Sequence, residues 1–78
     1  MCKIKNIIAM EDYKLLVEID NGEGKTFNMK TLIESEEMYK PLKDISLFRS
    51  IVVECGGYGA SWNDDIDISE YQLYTEGE

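Results

Sequence analysis

Residues 13–22, Tyr-Lys-Leu-Leu-Val-Glu-Ile-Asp-Asn-Gly, narrow most sharply what this chain can become. Tyr13, Leu15, Val17 and Ile19 alternate with Lys14, Glu18 and Asp20, and only Leu16 breaks the pattern. A period of two sends successive side chains to opposite faces of a strand, so one face is expected in a core and the other in water. Asn21-Gly22 follows at once, and both residues tolerate the positive φ that tight hairpin turns demand. Gly24 extends the loop, and Lys25–Phe27 returns as a further strand. Upstream, Lys3–Met10 is rich in β-branched residues and also reads as a strand, closed by a tight turn at Glu11-Asp12. These segments predict a three-stranded antiparallel meander over residues 3–28.

The remaining segments change character several times. Met29, Leu32 and Ile33 fall at helical spacing, which predicts a short helix over Lys30–Glu36. Lys40-Pro41-Leu42 is expected to leave helical geometry, because a residue before proline is pushed toward extended conformations. Asp44 can cap a second helical turn that carries Leu47 and Phe48 inward. Ile51–Cys55 reads as a strand, Gly56-Gly57-Tyr58-Gly59 as a turn or bulge, and Ala60–Trp62 as a return strand. Asn63-Asp64-Asp65 turns again before Ile66-Asp67-Ile68, and Ser69 with Gln72 matches a capping box that opens a final helical turn through Leu73 and Tyr74. The order of strands, helices, strands and helix predicts one α+β domain over residues 1–78. It consists of antiparallel sheet, with the N-terminal meander plus C-terminal strands, and two or three short helices. Two sheet edges, Lys3–Met10 and Ile51–Val53, could pair across a dimer axis, so homo-oligomerisation stays open.

With 78 residues the core must be small, and composition removes several kinds of chemistry. The absence of His removes imidazole bases and imidazole metal ligands. Cys2 and Cys55 are far apart and form no CxxC pair, so idle thiols in a reducing cytosol are expected rather than a disulfide framework. Met1–Asn6 carry two lysines with no apolar run behind them, so no signal peptide is expected. The longest apolar stretches, Ile7–Met10 and Ile51–Val53, fall far short of the ~20 residues of a membrane span. A cytoplasmic protein without membrane contact is expected.

Charge is unevenly distributed. Residues 1–40 hold eight acids and six lysines, whereas after Arg49 seven acids follow with no cation. Phosphate recognition relies on clustered Lys and Arg, so no direct nucleic-acid binding is expected. The acidic C-terminal half would attract a small basic protein, although a solubilising surface explains the same charge.

Three motifs invite more specific readings. Gly56-Gly57-Tyr58-Gly59 satisfies neither phosphate-loop pattern and has Glu54 and Asp64 flanking it, so it reads as backbone geometry. Asp65, Asp67, Ser69, Tyr71, Leu73 and Glu76 approach a calcium-loop register, but Glu70 stands where the sharp turn needs glycine. Paired carboxylates such as Asp64/Asp65 or Asp65/Asp67 sit in a polar turn with no nearby cation to hold a substrate anion. No catalytic, cofactor-binding or metal-ligating residue is therefore assigned, and the chain is expected not to be an enzyme. Trp62 reads first as core packing. The alternative is an exposed aromatic patch ringed by acids, and its candidate partner-binding residues are Tyr58, Trp62, Asp64 and Asp65.

The Asn21-Gly22 hairpin, Phe27-Asn28-Met29, Leu32, Tyr39-Lys40-Pro41-Leu42-Lys43-Asp44, Leu47-Phe48, Trp62, Asp67-Ile68-Ser69 and Leu73-Tyr74 together resemble the small bacterial domain of unknown function 2442. The resemblance covers about residues 3–75. It implies an α+β domain with antiparallel sheet and offers no catalytic residues to carry over. Some members continue into a helix-turn-helix domain; this chain stops at Glu78, so their DNA-binding role is not expected to transfer. Stand-alone members are often encoded beside another small protein of unknown function, an arrangement that resembles a toxin–antitoxin pair. Asn63-Asp64 departs from the Pro-Asp that relatives tend to carry after the Trp. The expected function is a non-catalytic acidic protein-interaction domain, antitoxin-like toward a small basic protein. The alternative is a small-ligand sensing or regulatory module.

Overall fold

The computed structural model describes residues 3–77; Cys2 lies outside the described residues, as does the side chain of Cys55. Strands β1 (Ile4–Ala9), β2 (Lys14–Ile19) and β3 (Gly24–Asn28) form the expected antiparallel meander in the order β1-β2-β3. Leu15, Val17 and Ile19 are buried on one face of β2, as their alternation requires. Asn21 and Gly22, the latter at φ +94°, turn the chain into β3. A bulge in β1 explains its irregular sequence. The pairing steps from Ile4↔Ile19 to Asn6↔Glu18, so Ile4 and Ile7 both face the core although they are three positions apart.

Tyr13 departs from the expected strand. It follows Asp12 in the left-handed region, with φ near +60° at both residues, and β2 begins only at Lys14. Its ring packs edge-on to Phe48 at 5.3 Å, and its hydroxyl donates to the Lys43 carbonyl at 2.6 Å. Tertiary contacts thus hold a backbone conformation that neither residue favours alone.

Helix α1 (Lys30–Ser35) leads into a 3₁₀ segment, Glu37–Lys43, that runs through Pro41 instead of breaking before it. The amides of Tyr39 and Asp44 bond to the carbonyls of Glu36 and Pro41 at 3.0 and 3.2 Å, so the proline nitrogen sits where no donor is needed. Helix α2 (Ile45–Phe48) is capped as expected, with the Asp44 carboxylate accepting from the Ser46 amide at 3.0 Å. The Ile51–Cys55 strand is shorter than expected. Strand β4 covers only Val52–Val53, because a 3₁₀ turn over Cys55–Gly57, with Gly56 and Gly57 at positive φ, bends the chain away.

Strands β4, β5 (Gly59–Asn63) and β6 (Ile66–Ser69) make a second three-stranded antiparallel sheet, and β4 lies beside β1. Helix α3 (Glu70–Glu76) starts where the Ser69 hydroxyl accepts from the Gln72 amide at 3.1 Å, one bond of the expected capping box. It returns to the first sheet, where the Tyr74 hydroxyl donates to Glu23 at 3.1 Å and Lys25 stands 4.6 Å above the Tyr74 ring. The architecture is α+β. One apolar cluster joins Ile7, Val17 and Phe27 of the first sheet to Ala60, Trp62 and Ile68 of the second, with Phe48, Leu42 and Leu73 between.

Candidate functional site

The 3₁₀ segment 37–43, the glycine turn before β5 and the outer strand β6 enclose an open groove of about 370 Å³. Each contributes for a local reason. Strand β6 buries Ile66 and Ile68 and therefore turns Asp67 outward. Gly59 has no side chain, and Glu54 uses the space: its Oε1 lies 2.9 Å from where a Cβ on Gly59 would stand. Positive φ at Gly56 and Gly57 swings Tyr58 to the surface, 56% exposed, with the Lys3 ammonium 5.3 Å from its ring centre. Met38 adds an exposed thioether to the opposite wall.

Tyr39 forms the floor. Its hydroxyl donates to the Asp67 carbonyl at 2.9 Å, and its ring meets Trp62 edge-on at 6.2 Å. Burial, followed by the negative charges of Asp67 and Glu36, raises the Tyr39 phenol above its usual value of 10.0. It stays a neutral donor through the physiological range, which keeps the outer edge of β6 occupied at that position.

Two acidic residues, Glu54 and Asp67, therefore line a groove that also holds an aromatic ring and a thioether, and none of its lining residues is a cation. Ser69, the hydroxyl-bearing serine beside it, is engaged in capping α3. The buried acid among the described residues, Glu70, sits in the first turn of α3, where the helix N-terminus favours negative charge, and does not line the groove. Among the described residues, no group of three or more acids or cysteines is placed to hold a metal ion.

The four residues proposed from sequence do not assemble into one surface. Trp62 is 6% exposed and its indole Nε1 donates to the Phe48 carbonyl at 3.0 Å. Its core reading holds, and it drops out of any partner-binding set. Tyr58 does line the groove. Asp64 and Asp65 are exposed at the tip of the β5–β6 hairpin, roughly 20 Å from Tyr58 at ~3.3 Å per strand residue, and Asp65 stands two residues before Asp67, which lines the groove. That turn is built by Asn63, whose side-chain oxygen accepts from the amides of Asp65 and Ile66 at 2.9 Å each, so no proline is needed there. Glu54, Asp67, Tyr39 and Met38 were not among the candidates. Only Asp67 left a sequence signal, its alternation between two isoleucines.

The family described as "Protein of unknown function (DUF2442)" matches residues 4–78. The chain belongs to that family. No curated protein and no solved structure matches it. Membership in DUF2442 agrees with the α+β architecture but brings no activity with it, so any functional reading has to rest on the groove itself. No helix among the described residues of this DUF2442 domain is long and apolar enough to cross a membrane.

Proposed function

We propose that this DUF2442 domain is a cytoplasmic, non-catalytic interaction module whose groove takes a Lys or Arg side chain of a small basic protein, in the manner of an antitoxin. The observation that supports this most is that Glu54 and Asp67 both line an open cleft whose lining holds no cation. A basic side chain entering it would meet two exposed carboxylates and could lie across the Tyr58 ring, displacing the Lys3 ammonium from that face. The acidic stretch after Arg49 would steer such a partner in, and it would repel nucleic acid. A small-ligand module is less well supported, because an open groove encloses little of a small molecule.

Titration of the isotope-labelled full chain with an arginine-rich decapeptide, followed by amide shifts, tests the reading. Saturable shifts at Glu54, Tyr58 and Asp67, abolished in a Glu54→Gln/Asp67→Asn variant, are expected. Shifts confined to Asp64 and Asp65, or none at all, would reject the groove. A thermal shift produced by a metabolite but not by the peptide would favour the small-ligand module.

A further inference from the structure

Strand β2 buries Leu15, Val17 and Ile19 and so presents Lys14, Leu16 and Glu18 on the outer face of the first sheet. The bulge in β1 leaves Ile8 on that face opposite Leu16, and Leu16 in turn stands opposite Thr26 of β3. This gives a central row Ile8–Leu16–Thr26. On one side lies the row of Met10, Lys14 and Asn28, tied by the Met10 amide to the Lys14 carbonyl at 2.7 Å. On the other lie Asn6, Glu18 and Gly24. Ile8 on β1 and Met10 just beyond its end are 44% and 40% exposed, so two large apolar side chains on this side stand in solvent.

The ionisable groups of these three rows are Lys14 and Glu18. The three rows therefore carry no net charge of their own on a chain whose formal charge is −8, with Glu76 of α3 at their edge beside Lys14, Thr26 and Asn28. Among the described residues neither group has an ion pair. They flank Leu16 symmetrically, two residues to either side. We propose that this face is a self-complementary interface for a second copy of the chain, related by a half-turn about an axis along the central row. That operation reverses strand direction. It stacks Leu16 on Leu16 and Ile8 on Ile8, and it places Lys14 of each copy opposite Glu18 of the other.

Charge selects the occupant. A basic protein would gain little from rows whose two charges cancel, whereas two strongly acidic chains repel each other least where Lys14 of each can face Glu18 of the other. This surface is separate from the groove, so each can fail without the other. The footprint is small: three strands ~4.8 Å apart, over three rows, cover far less than the ~800 Å² per partner of a stable complex. The dimer is a weak one, populated at high protein concentration.

Sedimentation equilibrium of the full chain from about 10 µM to about 1 mM tests it, with circular dichroism confirming that each variant is folded. Reversible dimerisation of the native chain is expected. Lys14→Glu and Glu18→Lys should each weaken it by roughly tenfold or more, since each sets like charges face to face twice. The double variant K14E/E18K should recover association, and so should an equimolar mixture of the two single variants, because each then meets its complement. A native chain that stays monomeric at about 1 mM would overturn the proposal. So would a dimer indifferent to the single reversals, or one that neither the double variant nor the mixture restores.

Discussion

Gly57 lies where the two sheets meet, and replacing it with alanine separates two costs that glycine substitutions usually confound. Its φ is +76°, and an added Cβ would stand 2.6 Å from the Ile4 carbonyl oxygen, 3.0 Å from the Lys3 Cβ and 3.2 Å from the Ile4 nitrogen. The first of these atoms is backbone at the start of β1, fixed by the pairing of Ile4 with Ile19 and by the Asp20 amide donating to the Lys3 carbonyl at 2.9 Å. It cannot swing aside as a side-chain tip would. Left-handed strain costs about 1–2 kcal/mol for an alanine, and forcing a rigid neighbour to move adds about 1–3 kcal/mol. Gly22→Ala is the control: at φ +94° with nothing within 4 Å of the added carbon, it incurs the strain alone. In a domain of this size 1 kcal/mol shifts Tm by roughly 4–8 °C, so Gly57→Ala should melt at least about 5 °C below Gly22→Ala. Paired thermal and urea melts at one pH supply the comparison. Equal losses in the two variants would show that the close approach of the glycine turn to β1 contributes nothing, and the reasoning would fail. A displaced turn would also carry Glu54 and Tyr58 with it, so Gly57→Ala should weaken peptide binding in the groove where Gly22→Ala does not.

Three further outcomes follow from the same packing. Because the Tyr39 phenol is raised above 10.0 in the folded chain, the folded state holds its proton where the unfolded state has released it. That stabilisation is complete below about pH 10 and is lost as pH rises through the folded value. The urea midpoint should therefore fall more steeply above pH 10 for the native chain than for Tyr39→Phe, and parallel profiles would refute the assignment. Trp62→Phe removes the indole donor from the Phe48 carbonyl and leaves a gap beside Tyr39, so it should destabilise by about 2–3 kcal/mol. Tyr58→Ala, half-exposed in the groove, should stay within about 0.5 kcal/mol.

Much of the fold was legible because its signals are local. The alternation from Leu15 to Ile19, the Asn21-Gly22 turn and the caps at Asp44 and Ser69 each depend on residues only a few positions apart, and the structure contains them all. The misses have the opposite character. Tyr13 is held in the left-handed region by Phe48 and Lys43, and the strand expected over Ile51–Cys55 is cut short by a glycine turn that packs on β1. The candidate site was less legible still. Tyr58 was named and lines the groove, but Asp64 and Asp65 are at the other end of the hairpin and Trp62 faces the core.

The amino-acid sequence by itself determined the antiparallel meander, the helix starts and the concentration of acid after Arg49, because period, turn chemistry and charge are properties of neighbouring residues. Only the tertiary structure decided which acids matter together. Glu54 and Asp67 are 13 positions apart and line one groove because β6 turns Asp67 outward while Gly59 makes room for Glu54. The same holds for the outer face of the first sheet, where a single bulge in β1 sets Ile8 beside Leu16. Burial and convergence depend on what packs against a residue, and that partner stands elsewhere in the chain.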